Sequence, residues 1–194
     1  KNNMQLVSSI LSLQGGAIED ARAAEVLREL QIRVRSLGLV HEALHQAEEV
    51  GLIELGPYIR SVVNSVLSEY ALESPLLPRF ALDSVRVGVD LSVPLGLIVG
   101  EMVLNAVKHA YREGERGPLL VELAVDGCDG SLTIADTGVG LPENINITAP
   151  ESFGINLLWA LSQQIKGSLT VDRLGGTSWR LRFPLVPALG CESG

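Results

Sequence analysis

Between about Asp20 and His45, the positions Leu27, Leu30, Val34, Leu37, His41 and Leu44 step by three, four, three, four and three. That is the narrow seam of a coiled coil rather than the broad apolar stripe of a surface helix. Such a helix requires a partner. Upstream, Met4, Val7, Ile10 or Leu11 and Leu13 repeat at helical spacing before Gly15-Gly16 interrupts, so the start of the chain reads as a helical hairpin. A hairpin of this size buries too little surface alone, and pairing with a second copy into a four-helix bundle is expected. The chain is 46% hydrophobic, and part of that apolar content belongs to this seam.

The composition shifts over residues 48–56, which read as a joint, and Pro57 then falls in the first turn of a helix reaching about Tyr70. Ile59, Val62, Val63, Val66 and Tyr70 mark its inward side. Phe80, Leu82, Val85, Val87 and Val89 alternate as one or two strands. Ser92 is the expected cap of a long helix with Pro94 in its first turn, running to about Tyr111. Leu119 to Val125 and Leu132 to Ala135 are predicted strands joined by Asp126-Gly127-Cys128-Asp129-Gly130. After an aperiodic loop from Gly140 to Phe153 comes a helix over about Gly154 to Ile165. Leu169 to Val171 and Trp179 to Phe183 close a second hairpin around Leu174-Gly175-Gly176. Helices and antiparallel strand pairs are segregated, so this part is expected to be an α+β arrangement, a sandwich of helices on a sheet.

The formal charge of −8 argues against a nucleic-acid partner, since such binding draws on Lys and Arg neutralising phosphates. Cys128 and Cys191 supply neither a disulfide framework nor a metal-ligand spacing, which fits a reducing cytoplasm. The apolar stretches are short and interrupted, and none approaches the roughly 20 residues of a membrane span. Lys1-Asn2-Asn3-Met4 runs directly into helical periodicity with no signal-peptide pattern, as if cut from something longer.

The long helix carries the most informative polar group. Glu101, Asn105 and Lys108 stand at i, i+4 and i+7 on one face, while Leu95, Val99, Met102 and Ala106 supply the other. A carboxylate, an amide and an ammonium suit a magnesium-bound polyphosphate, with the amide oxygen toward the metal, Lys toward phosphate and Glu orienting or deprotonating a nucleophile. A solvated helix face carries the same residues. Next, Asp136-Thr137-Gly138-Val139-Gly140 comes off a strand end, where alternating glycines permit close backbone approach and Asp136 offers acceptors to an adenine amine. Ser152-Phe153-Gly154 leads into a helix whose free N–H groups favour an anion. Gly175-Gly176-Thr177 sits at the mouth of the last hairpin, where a plain turn is the simpler reading.

Taken in order, these four motifs resemble the N, G1 and G2 boxes and terminal motif of the GHKL ATPases, the superfamily that joins histidine kinases with gyrase and MutL. The match spans about residues 57–187. The stretches Val93 to Glu101 and Asn105 to Tyr111 look most like sensor histidine kinases of the HWE-related, second type. Lys1 to Gln5, Ser8 to Gln14, Arg33 to Leu37 and Leu39 to Glu42 resemble that family's dimerisation hairpin. The resemblance implies a dimerisation and phosphotransfer hairpin over 1–52 and a Bergerat-type α/β sandwich binding ATP over 53–194. It makes Glu101 the acidic, candidate catalytic residue and Asn105 the Mg ligand. Lys108 and His109 fall near the phosphates, Asp136 on the adenine amine, Gly138 and Gly140 at the pocket wall, Gly154 at phosphate, and Thr177 at the adenine end. The G2 counterpart has Gly154 without a second glycine, and the lid is short. The family's phosphorylated histidine stands three residues before the Lys that is Lys1 here, so the acceptor would lie upstream. Implied partners are a second copy through the hairpin, a response-regulator receiver domain and an upstream sensor domain. The rival readings are a non-catalytic phosphotransfer scaffold and an anti-sigma-type serine kinase.

His41-Glu42-Ala43-Leu44-His45 also matches the H-E-x-x-H zinc pattern. Against it, His41 occupies a seam position. No third ligand is evident, Glu48, Glu49 and Glu69 being candidates by proximity alone.

Overall fold

A computed structural model describes residues 20–46, 51–70, 76–112, 115–142, 145 and 152–185. The expected first helix and its Gly15-Gly16 break lie outside the described residues. Helix α1 spans Ala21–Gln46. Asp20 caps it, its Oδ1 accepting from Arg22 N at 2.8 Å and Ala23 N at 3.0 Å. Strand β1 (Leu52–Glu54) follows and pairs antiparallel with β3 (Arg86–Gly88). Within the stretch read as a joint, Leu52–Glu54 is therefore ordered as a strand, with Ile53 buried and paired with Val87, while residues 48–50 lie outside the described residues. Helix α2 (Leu55–Glu69) buries Ile59, Val62, Val63 and Val66, the stripe its periodicity gave.

The main sheet has five strands in the order β2-β4-β5-β7-β6. These are β2 (Leu76–Leu82), β4 (Gly117–Asp126), β5 (Asp129–Asp136), β6 (Ser168–Asp172) and β7 (Ser178–Pro184). β2 pairs parallel with β4 and the other neighbours are antiparallel. β4 and β5 run to Asp126 and Asp129, so Gly127-Cys128 alone forms the turn where a five-residue connection was expected. Cys128 is disulfide-bonded, a cross-link the sequence reading did not expect.

Alternation along the strands sends Leu119, Val121, Leu123, Leu132, Ile134, Trp179, Leu181 and Phe183 to one face. There they join α2, α3 (Val89–His109) and α4 (Phe153–Gln164) in a single core, while Arg180 and Arg182 line the wetter face. The result is the α+β sandwich expected. Helix α3 begins at Val89 rather than at Ser92, which is buried and donates its hydroxyl to the Val89 carbonyl at 3.3 Å. By length and composition α3 could cross a membrane. Its apolarity has a simpler use here, since Leu95, Ile98, Val99, Met102 and Val103 are fully enclosed in the domain core.

Helix α1 lies against α2 and α3. Ile32 and Ser36 are buried there, Arg28 donates to the Glu69 carbonyl at 2.5 Å, and the Tyr70 hydroxyl donates to Glu25 at 3.0 Å. The seam faces elsewhere. Leu30 is 41% exposed, and Leu27, Val34 and Leu37 are half-buried. The side chains of His41 and His45 lie outside the described residues, as do Glu48 and Glu49. The remaining zinc candidate, Glu69, pairs with Arg35.

Candidate functional site

A cavity of about 600 Å³ opens between α3, the end of β5, the start of α4 and the turn before β7. Its wall includes Glu101, Asn105, Lys108, His109, Asp136, Gly140, Gly154 and Thr177, eight of the nine residues singled out from sequence. Helical spacing puts the first three on one edge of α3, and burial of the opposite face fixes that edge in place.

Asp136 ends β5, and its position is over-determined. Its N–H donates to the Thr177 carbonyl at 2.9 Å, and its Oδ1 accepts from Gly138 N at 2.9 Å and Thr177 N at 3.1 Å. Both of these side-chain bonds fall on Oδ1, and among the described residues Oδ2 is left to accept from a ligand. Gly138 lies behind the wall. A Cβ there would stand 1.8 Å from the Ala110 carbonyl oxygen, so β5 can meet the end of α3 only through a glycine. At Gly140 the backbone has φ +80, a conformation that favours glycine.

Asn105 Nδ2 is buried with no hydrogen-bond partner among the described residues. An orphaned amide of this kind costs about 1–3 kcal/mol, which a ligand oxygen would recover. Ser152 is the N-cap of α4, its Oγ accepting from Ile155 N at 3.5 Å, and a helix N-terminus of this kind favours an anion. Gly154 leaves room for the Glu101 carboxylate, since a Cβ there would lie 2.8 Å from Glu101 Oε2.

Two residues of α1 complete the wall, Glu29 and Arg33. Arg33 donates to both oxygens of Glu101, at 2.5 Å and 3.1 Å, and to Glu29 at 3.2 Å, and its guanidinium lies 4.8 Å from the Phe153 ring centre. Lys108 pairs with Glu25 at 2.6 Å and with Glu29. Burial works against the Lys108 ammonium, but its hydrogen bonds to Glu25 and Glu29 outweigh that and raise its pKa above 10.5. His109 moves the other way. Burial first, and then the Lys108 charge, hold its imidazole below the ordinary 6.5 against a smaller pull from Glu29.

Residues 54–168 match the histidine kinase-like ATPase domain family, and residues 1–70 match a histidine kinase family. The chain belongs to the histidine kinase-like ATPases. Among curated relatives, the sensor histidine kinase PdtaS of Mycobacterium tuberculosis is 30% identical over 191 residues, covering 95% of this chain and 38% of that protein. Blue-light-activated histidine kinase 2 of Erythrobacter litoralis is 26% identical over 194 residues, covering 95% of this chain and 54% of its own length. The chain therefore spans only about a third to a half of these relatives. Among solved structures, the histidine kinase domain of a blue-light-activated kinase from Erythrobacter litoralis superposes with a TM-score of 0.75 at 24% identity, over 95% of this chain and 87% of that one. Full-length ShkA in complex with AMPPNP matches at 0.55 and 21% identity, over 89% of this chain and 40% of that one.

In this histidine kinase-like ATPase the sequence reading missed Glu25, Glu29 and Arg33. The available signal was their spacing, since three charges four residues apart share one helix face that flanks the heptad seam.

Proposed function

We propose that this chain is the dimerisation and catalytic core of a sensor histidine kinase, with the hairpin over 1–52 and the nucleotide domain over 53–194. It binds Mg-ATP and passes the γ-phosphoryl to a hairpin histidine, from which it goes to an aspartate of a response-regulator receiver domain. The observation that carries the reading is the 600 Å³ cavity, whose wall combines Asp136 Oδ2, the orphaned Asn105 amide, Lys108 and a helix N-terminus. The pairing of a carboxylate acceptor with several anion-binding groups suits a nucleotide better than a small anion.

Each residue has a defined task. Asp136 accepts from the adenine amine, with Thr177 and Gly138 orienting its carboxylate. Magnesium would take the Asn105 oxygen and otherwise phosphate oxygens and water, the sparse protein ligation typical of this ion. When bound, it would neutralise charge on the phosphates. Lys108, His109 and the N–H groups around Gly154 would hold the phosphates, and Glu101 would orient or deprotonate the acceptor. Since phosphoryl transfer needs little covalent help, positioning and charge are what the chain has to supply.

Isothermal titration with Mg-ATP tests this. The wild-type chain should bind, and Asp136→Ala and Asn105→Ala should each lose at least about tenfold in affinity while keeping the far-ultraviolet spectrum. No binding, or binding indifferent to both substitutions, would sink the reading in favour of a non-catalytic scaffold. Transfer itself is read by acid-labile phosphorylation of a chain extended by its native upstream residues.

A further inference from the structure

Every charged side chain on the α3 edge of the cavity already has a partner, and each of those partners comes from α1. Arg33 takes both oxygens of Glu101, and Glu25 and Glu29 take Lys108. The cluster holds three carboxylates against two cations. A polyphosphate entering the cavity meets a net negative wall whose ammonium is already engaged, and it must compete for that ammonium.

The two halves of the cluster differ in depth. Side-chain exposure is 12% for Arg33 and 3% for Glu101, against 20% for Lys108, 25% for Glu29 and 37% for Glu25. Ion pairs as open as the second set are weak and exchangeable, whereas the Arg33–Glu101 pair is costly to separate. Lys108 is thus the side that opens first. Resting on the nucleotide reading above, we infer that α1 regulates the site as an ion-pair clasp. Glu25 and Glu29 occupy the phosphate-binding Lys108 and Arg33 occupies Glu101, so that nucleotide binding and loosening of α1 are one exchange. By reciprocity, whatever holds α1 on the cavity wall weakens nucleotide binding by the same factor.

The test is Mg-ATP affinity, measured by competition against a fluorescent ATP analogue, for wild type, E25Q/E29Q, K108M and the triple variant. Freeing Lys108 should tighten binding of E25Q/E29Q by about 3- to 10-fold, and that gain should vanish in the Lys108→Met background. Should the double variant lose helicity, E29Q alone reads the same exchange with a smaller gain. A gain that persists without Lys108 is a general field effect and overturns the clasp. Unchanged or weaker affinity in E25Q/E29Q, with wild type binding normally, overturns the clasp alone. If neither wild type nor E25Q/E29Q binds nucleotide, the nucleotide reading falls and the clasp falls with it.

Discussion

Gly138→Ala asks for a methyl group where there is none to spare. Its Cβ would stand 1.8 Å from Ala110 O and 2.4 Å from Ala110 C, all backbone atoms at the end of α3. Relief requires the G1 segment to move by more than about 1 Å, because no flexible side chain can yield instead. Two hydrogen bonds lie in the path of that movement, Val139 N to Ala110 O at 2.8 Å and Gly138 N to Asp136 Oδ1 at 2.9 Å. At about 1 kcal/mol each, with residual strain added, the cost is about 2–4 kcal/mol. Urea unfolding reads it directly. Because Asp136 loses one of the bonds that aim it, Mg-ATP affinity should fall at least about tenfold in the chains that remain folded. Gly56→Ala is the control, as its Cβ would make only an ordinary 3.4 Å contact with Leu82. It should be neutral or stabilising by up to about 1 kcal/mol. Wild-type stability and wild-type affinity in Gly138→Ala would refute the claim that this contact holds the site in shape.

Three further outcomes are expected. Tyr58→Phe should stabilise the chain by about 1 kcal/mol in urea, since the buried Tyr58 hydroxyl has no hydrogen-bond partner among the described residues and burial pushes its pKa up. A clear loss would show an overlooked partner. Arg33→Met strands the buried Glu101 carboxylate and should cost about 2–3 kcal/mol, most of it recovered when Glu101→Leu is added. Additive losses in that cycle would count against the pair. His109 is held below 6.5 in the folded chain, so on acidification the unfolded chain protonates first. Stability therefore falls as pH drops from about 6.5 toward the folded value, and His109→Gln should flatten the pH dependence of unfolding in that window.

What could be read ahead of the structure follows the range of the signals. The face of α3 that carries Glu101, Asn105 and Lys108 was legible because 3.6-residue periodicity is local, and Asp136 with its glycines because a turn is local too. The start of α3 was misplaced because Ser92 resembles a cap but bonds back within the helix. The parallel register of β2 on β4, Leu76 against Gly117, joins segments whose pairing leaves no mark in either sequence. Glu25, Glu29 and Arg33 were hidden for a similar reason. On a helix already assigned to a seam, charges on another face look solvated, and their partners Glu101 and Lys108 stand more than sixty residues away.

Helix α3 is at once the centre of the core and the edge of the cavity. Met102 and Val103 have no exposed surface, yet they lie within one turn of Glu101 and Asn105 on the same rigid rod. A substitution at Val99 or Met102 that preserves stability but tilts the rod should surface as altered nucleotide handling. Packing of the core and the shape of the cavity are therefore constrained together along α3.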